Sequence, residues 1–207
     1  AEAERLRREA RILAALEHPG IVPVHDVGVL ADGRAFYVMK LVAGESLERH
    51  AIRGAPLGER LRLFARLCEP VAFAHERGVV HRDVKPANLM VTRTGEVKLA
   101  DFGLAKHAMD PTRSVTAKGG GTLLYAAPEQ LAGDPASKRT DAYQLGCTLF
   151  EMLEGRAPFE DAPNEAALVR AKLQDLEPDP RDLHGLSPAE RRDVVRIYRR
   201  LVHPDAK

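Results

Sequence analysis

The sequence has few of the features that mark secreted, membrane-spanning or nucleic-acid-binding proteins. Its two cysteines, Cys68 and Cys147, lie in helical patterns, which predicts buried thiols in a reducing compartment and excludes a disulfide framework. No apolar run approaches the ~20 residues needed to cross a bilayer, and no signal peptide is visible. The net charge of +1 argues against a nucleic acid as the main partner.

The composition that is present fits one compact domain. A chain of 207 residues and 22.7 kDa, of which 44% are hydrophobic, is long enough to bury a core. The sequence shows no internal repeat and no low-complexity segment. It starts with Ala1 and ends at Lys207 without a turn or tail, which favours a piece of a longer protein.

The order of the predicted elements indicates an α+β fold, with strands before residue 44 and predominantly helical structure after it. Residues 1–17 are predicted to form a helix with an apolar stripe through Leu6, Leu13 and Leu16. The other predicted elements are strands 21–29, 35–41, 89–91 and 97–99 and helices 45–52, 59–77, 140–154, 164–175 and 187–202. Helix 140–154 is apolar nearly all round, which predicts a buried position.

Glu9 lies on the apolar stripe of the first predicted helix. Because an unpaired carboxylate is costly to bury, this position leaves two interpretations open. Either Glu9 sits at the edge of the stripe and bends toward solvent, or a cation elsewhere in the protein pairs with it.

Three short motifs occur in a fixed order between residues 81 and 129. His81-Arg82-Asp83 is followed by Lys85 and Asn88, then by Asp101-Phe102-Gly103 after a short strand, then by Ala127-Pro128-Glu129. Each tripeptide alone is a weak signal, since Asp and Gly are common in turns. The set in this order and spacing matches the parts that move a phosphoryl group from ATP to a protein hydroxyl.

On these motifs the chain resembles eukaryotic-type (Hanks-type) protein Ser/Thr kinases, and the stretch REARILAALEHPGIVPVHDVG resembles bacterial members. The resemblance covers nearly all of the chain. It implies a two-lobe α+β fold, incomplete at both ends. Residues 1–41 would be part of the small lobe (helix C and two strands), 42–44 the hinge and 45–207 the mostly helical large lobe.

The resemblance implies catalytic roles for five residues. Asp83 would orient the acceptor hydroxyl and take its proton, and Lys85 would contact the transferred phosphate. Asn88 and Asp101 would hold Mg²⁺, or Mn²⁺, through hard oxygen ligands. Thr122 would bridge Asp83 and Lys85, and together with Lys85 it favours Ser or Thr as the acceptor.

The resemblance also implies a nucleotide site. Glu9 would pair with the lysine that holds the ATP α- and β-phosphates, and Met39 would be the gatekeeper beside the adenine pocket. Backbone groups from Lys40 to Val42 would meet the adenine edge, and Met90 is assigned to the same pocket.

Structural and regulatory roles follow from the same resemblance. Phe102 would pack under helix C with His81 and Leu13 and link the metal site to helix C, and Gly103 is a structural residue of the same motif. The remaining structural residues are Asp141, which would accept backbone N–H bonds from the His-Arg-Asp loop, and Glu129, whose expected arginine partner lies beyond this sequence.

Arg82 implies regulation by phosphorylation of the loop that follows Gly103. A phosphate on that loop would pair with the Arg82 guanidinium and order the segment. Thr116 is the first candidate for modification, followed by Thr112 and Ser114. The alternative is that these are exposed hydroxyls that carry no phosphate.

The sequence therefore predicts a cytoplasmic protein kinase that acts on Ser/Thr hydroxyls of proteins, with kinase–kinase pairing for phosphorylation in trans and any membrane anchor outside this segment. It contains no glycine-rich phosphate loop and no Val-Ala-Ile-Lys-type strand, so we expect residues 1–207 alone to have little activity. The alternatives are a pseudokinase-like binding or scaffold module, and a small-molecule kinase, against which Ala127-Pro128-Glu129 and Thr122 argue.

Overall fold

The structure is a computed structural model that describes residues 16–32, 35–49, 54–102, 123–174, 180–181 and 183–203. Within these ranges it has five strands: β1 (Val24–Val29), β2 (Ala35–Met39), β3 (Gly44–Ser46), β4 (Leu89–Thr92) and β5 (Val97–Leu99). The helices are α1 (Leu57–Glu76), α2 (Pro128–Ala132), α3 (Lys138–Glu154), α4 (Glu165–Leu173) and α5 (Pro188–Val202). The expected α+β class is confirmed, whereas nearly all of the predicted helix 1–17 lies outside the described residues.

The strands form two small antiparallel sheets. β1 and β2 make a hairpin with Val29 opposite Ala35, and its register shifts between Val24 and Asp26. The second sheet has the order β3-β4-β5. The backbones of Val22 and Leu99 join the segment before β1 to β5 through an N–H···O bond of 2.9 Å.

One predicted element is wrong: residues 44–46 are a strand and not the start of a helix 45–52. Gly44 pairs with Thr92, and Ser46 pairs with Met90. The absence of a side chain at Gly44 lets the two backbones approach closely, since a Cβ there would lie 2.2 Å from the Val91 carbonyl oxygen. Tertiary pairing with β4 thus overrides the local helical pattern.

Helix α3 is the centre of the core, as its apolar sequence predicts. Its buried side chains face all sides, and it packs against α1 and α5. Ser137 caps its N-terminus by accepting a hydrogen bond from the Arg139 N–H, and Gly155 ends it in the left-handed conformation. Helix α3 is thereby well ordered at both ends, and its side chains bind the loop at residues 81–84.

Neither cysteine forms a disulfide with another described residue. Cys147 is fully buried in α3, whereas Cys68 in α1 is only partly buried. Burial, with a smaller contribution from Glu69, raises the pKa of the Cys68 thiol to about 11, so the thiolate is scarce at neutral pH. None of the described helices is both long enough and apolar enough to span a bilayer.

We expect Gly44→Ala to destabilise the fold by about 1–3 kcal/mol, because the new methyl group would collide with the β4 backbone. Gly54→Ala is the matched control, since a Cβ at that position meets no atom within 4 Å. Thermal unfolding of both variants beside the wild type measures the difference. Equal melting temperatures for the two variants would contradict the close approach of β3 and β4.

Candidate active site

The loop between α1 and β4 brings three of the expected catalytic residues together. Gly78, with φ 73°, ends α1, and Pro86–Asn88 form a short 3-10 turn that leads into β4. The Lys85 Nζ lies 3.2 Å from Asp83 Oδ2, and the Asn88 Nδ2 donates to the same oxygen at 3.1 Å. Asn88 Nδ2 also donates to the Asp83 carbonyl at 2.8 Å. Two donors therefore fix the orientation of the Asp83 carboxylate.

The N-terminus of α3 holds this loop through a buried carboxylate. The Asp141 side chain is fully buried and accepts hydrogen bonds from the backbone N–H of His81 at 2.8 Å and of Arg82 at 2.7 Å. The His75 Nε2 lies 2.7 Å from Asp141 Oδ2. Three hydrogen-bonding groups and the helix N-terminus offset the cost of burying this charge. The backbone at residues 81–82 is thereby tied to the central helix.

Two glutamines extend the same attachment. Gln144 Oε1 accepts from the Val84 N–H at 2.8 Å, and Gln144 Nε2 donates to the Arg82 carbonyl at 3.1 Å. Gln130 Nε2 donates to the same carbonyl at 3.0 Å. These bonds hold Arg82 at φ 71°, a conformation that a non-glycine residue rarely adopts without such support. The roles of the two glutamines were not predicted from the sequence. Gln144 could have been recognised, because it is a polar residue in an apolar helix, three residues after Asp141 and therefore on the same face.

His81 connects this loop to the segment that carries Asp101. Burial lowers the pKa of the His81 imidazole, which stays neutral at physiological pH despite the nearby carboxylates. Its Nδ1 accepts from the Asp83 N–H at 3.3 Å, and its Nε2–H donates to the Ala100 carbonyl at 3.0 Å. Its ring centroid lies 4.5 Å from that of Phe102. A neutral histidine with one donor and one acceptor suits both partners.

Asp101 lies next to Asn88 because the Ala100 N–H donates to the Asn88 carbonyl at 2.9 Å. Asp101 has φ 63°, the second strained residue of the site. The Asn88 amide nitrogen donates both of its hydrogen bonds to Asp83, so the Asn88 amide oxygen is the atom suited to bind a cation. The described residues contain no group of three or more His, Cys, Asp or Glu side chains able to hold a metal. One carboxylate and one amide oxygen fit Mg²⁺ that also binds phosphate oxygens and water.

Tyr37 of β2 reaches the same place and was not anticipated. Its hydroxyl donates to Asp101 Oδ1. Burial, followed by the adjacent Asp101 carboxylate, raises the pKa of Tyr37 above its usual value, so the hydroxyl keeps its proton. Met39 lies two residues further along the strand and therefore shares the face of β2 that carries Tyr37. The expected gatekeeper thus lies on the side of the hairpin that meets Asp101.

The other expected nucleotide contacts lie on exposed backbone. The Lys40 N–H donates to the Pro23 carbonyl at 3.0 Å, so its carbonyl is the group left for an adenine edge. Val42 is partly exposed, and Leu41 between them is 92% exposed. Met90 in β4 alternates with the buried Leu89 and Val91 and points away from the core.

The Ala127-Pro128-Glu129 motif forms the start of α2. Glu129 accepts a hydrogen bond from the Thr140 hydroxyl at 2.6 Å, so within this sequence it has a partner other than an arginine. The segment just before the motif is held by Lys172 of α4, which is fully buried. The Lys172 Nζ donates to the carbonyls of Leu124 at 2.8 Å and Ala126 at 3.0 Å.

Lys172 also contacts Tyr143, whose hydroxyl oxygen lies 3.1 Å from the Nζ. Two carbonyls and a phenol replace much of the hydration that the buried ammonium has lost. The sequence of this short helix gave no signal that Lys172 is buried, because the backbone acceptors of Lys172 lie 46 and 48 residues earlier in the chain.

Several expected site residues lie outside the described residues. They are Glu9, Gly103, Thr112, Ser114, Thr116 and Thr122, together with Leu13 of the expected contact with Phe102.

Comparison with known proteins identifies the family of the chain. The family model described as "Protein kinase domain" matches residues 1–193. The serine/threonine-protein kinase PknB of Mycobacterium tuberculosis is 39% identical over 191 residues, covering 88% of this chain and 30% of the relative. PknB of Mycobacterium leprae is 40% identical over 184 residues, covering 86% and 30%. A probable serine/threonine-protein kinase of Corynebacterium efficiens is 37% identical over 210 residues, covering 97% and 32%.

The chain belongs to the protein kinase domain family, and it is similar to bacterial members, as its motifs indicate. It spans about 30% of the length of the curated relatives it matches.

We expect Asp141→Asn to destabilise the protein by about 3 kcal/mol, because the amide NH₂ would face a backbone N–H where a carboxylate oxygen now accepts it. The matched control is Asp193→Asn, which removes an exposed carboxylate paired with Arg196 and should change stability by less than about 0.5 kcal/mol. Thermal unfolding measures both changes. A loss no larger than that of the control would show that Asp141 does not hold the loop.

Proposed function

We propose that the protein containing this chain transfers the γ-phosphoryl group of ATP to Ser/Thr hydroxyls of proteins. The observation that carries the proposal is that Lys85 and Asn88 both contact one carboxylate oxygen of Asp83, with Asp101 next to Asn88. A pre-positioned carboxylate, a nearby ammonium and two oxygen ligands are what phosphoryl transfer requires of a protein. The relatives are named serine/threonine-protein kinases, which agrees with this assignment.

In the proposed reaction Asp83 accepts a hydrogen bond from the acceptor hydroxyl and takes its proton late. The hydroxyl oxygen bonds to the γ-phosphorus while the bond to the β–γ bridging oxygen breaks, and ADP leaves with that electron pair. Lys85 moves from Asp83 toward the transferred phosphate and offsets its charge. Asn88 and Asp101 would hold Mg²⁺, which would supply positive charge to offset that of the phosphates.

The proposed nucleotide position follows from the hinge segment. The Lys40 carbonyl and the Val42 backbone would meet the adenine edge, with Met39 and Met90 beside the ring. Glu9 would pair with the lysine that holds the ATP α- and β-phosphates.

The preference for Ser or Thr is proposed from Lys85 and Thr122. Thr122 would bridge Asp83 and Lys85, as in similar kinases. We further propose that phosphate on Thr116, Thr112 or Ser114, added in trans by a second kinase molecule, pairs with Arg82 and activates transfer. The reaction is assigned to the cytoplasm, where ATP is supplied.

We expect Asp83→Asn to lower kcat of the full-length protein by about 10²–10⁴-fold, since an amide orients the hydroxyl poorly and takes no proton. The KM for ATP should change little, because Asp83 contacts the acceptor. The exposed Asp134→Asn is the control and should leave kcat unchanged. Transfer of labelled phosphate from ATP to a protein acceptor, with Mg²⁺ added, is the measurement.

Two outcomes of this assay count against the proposal. An Asp83→Asn variant that keeps more than about a tenth of wild-type kcat would remove Asp83 from the mechanism. A wild-type protein with no transfer at all would favour the pseudokinase-like binding module. The same assay on residues 1–207 alone should give little transfer, and robust autophosphorylation would refute that expectation.

We expect Lys172→Met to raise the KM for the protein acceptor about tenfold while leaving the KM for ATP within twofold. The two carbonyls that Lys172 binds belong to Leu124 and Ala126, in the segment between Thr122 and Ala127 that we propose contacts the acceptor. Losing a charged donor there should cost about a factor of ten in affinity. Lys172→Arg should restore part of the affinity, and the exposed Lys138→Met is the control. A parallel rise of both KM values would indicate general loss of structure instead of a shifted acceptor segment.

A further inference from the structure

A basic groove lies outside the candidate active site, between helix α1 and the turn that joins β4 to β5. Its volume is about 400 Å³, within the range of ~300–1,000 Å³ that is usual for ligand sites. Arg62 and Arg66, four residues apart and therefore on one face of α1, form one wall, and Arg93 of the turn forms the other. All three arginine side chains are exposed.

The charges in this groove are poorly compensated. Neither Arg62 nor Arg93 makes an ion pair or a hydrogen bond with any residue that the structure describes. Glu59 is the one carboxylate among the described residues that line the groove. The guanidinium of Arg60 is used elsewhere, since its Nη1 donates to the Met152 and Leu153 carbonyls at 3.0 and 2.9 Å. Two like charges at i,i+4 on a helix are unfavourable without a ligand, so an anionic partner would relieve that repulsion.

The groove is also firmly built and partly apolar. The Arg66 Nη1 donates to the Gly95 carbonyl at 3.2 Å, which ties the helical wall to the turn. Leu63 and Val91 line the groove between the cationic walls. An apolar floor with cationic walls is complementary to a peptide in which apolar and acidic side chains alternate.

The position of the groove connects it to the reaction. β4 starts immediately after Asn88 and ends at Thr92, which lines the groove. Four residues of strand span roughly 13 Å, so the groove lies one strand length from the metal-binding amide. A segment bound there would keep the molecule that carries it near the site and raise its effective concentration.

We propose that this groove binds an acidic, partly apolar segment of the protein acceptor and so selects which proteins are phosphorylated. That the bound protein is a phosphate acceptor rests on the proposed function, whereas binding of an acidic segment in the groove does not. A nucleic-acid strand fits less well, because it needs a longer basic track than one groove and the chain as a whole has a net charge of only +1.

The test measures binding separately from phosphate transfer. The probe is a fluorescein-labelled heptapeptide in which Asp and Glu alternate with Leu, and its control has Asn and Gln in place of the acids. Fluorescence anisotropy is recorded for the full-length protein and for the double variant R62E/R93E. Arg192 of α5 is exposed and distant in sequence, so R192E is the matched charge-reversal control.

We expect R62E/R93E to weaken binding of the acidic peptide by at least about tenfold, and R192E to leave it unchanged. The control peptide should bind weakly to all three proteins. R62Q/R93Q, which removes charge without reversing it, should give a smaller loss and serves as the second variant if the reversal impairs folding. Equal affinity of the wild type and both double variants for the acidic peptide would overturn the proposal.

A second arm joins the acidic segment to a Ser-containing acceptor by a flexible linker and measures its KM. The linked acceptor should have a lower KM than the unlinked one, with kcat unchanged, and R62E/R93E should abolish the difference. Arginine-dependent binding without any phosphate transfer would support the groove and overturn the proposed function. Transfer to both acceptors with equal KM in every variant would support the function and overturn the groove.

Discussion

The attachment of the loop at residues 81–84 to helix α3 is the constraint on which the rest of the site depends. Asp141 and Gln144 lie three residues apart on one face of α3 and bind the backbone of His81, Arg82 and Val84 at 2.7–2.8 Å. Buried backbone N–H groups that had no such acceptors would each cost about 1–3 kcal/mol. These bonds hold Arg82 at positive φ, so Asp83 receives its position from the core and not from the loop itself.

A second set of contacts, made by His81, joins the loop that carries Asp83 to the segment that carries Asp101. The neutral His81 ring binds the Asp83 N–H on one side and the Ala100 carbonyl on the other, and it packs on Phe102. Protonation would place two donors on the ring and break the bond to Asp83, which explains why burial and a lowered pKa suit this position. The acidic residues at 83 and 101 therefore cannot shift independently, and a change that moved either of them would be felt at the other.

The sequence predicted those parts whose signals are local. Ordered motifs located Asp83, Asn88 and Asp101, and the all-round apolar pattern of residues 140–154 identified the buried central helix. Strand β3 was mistaken for a helix, because its pairing partner lies more than forty residues later in the chain. Lys172 was missed for the same reason: its acceptors lie far away in sequence, and nothing in α4 itself distinguishes a buried lysine from a solvated one.

Two buried charged groups, Asp141 and Lys172, tie backbone segments that are distant in sequence to helix α3. Asp141 presents oxygen atoms to backbone N–H groups of the loop that carries Asp83, whereas Lys172 presents N–H groups to carbonyls of Leu124 and Ala126. Both are anchored at α3, the first as part of it and the second through Tyr143. Removing either charge would leave buried backbone groups without their hydrogen-bond partners. One helix therefore fixes the distance between the loop that carries Asp83 and the backbone at Leu124 and Ala126. The proposed in-line transfer would need such a fixed distance.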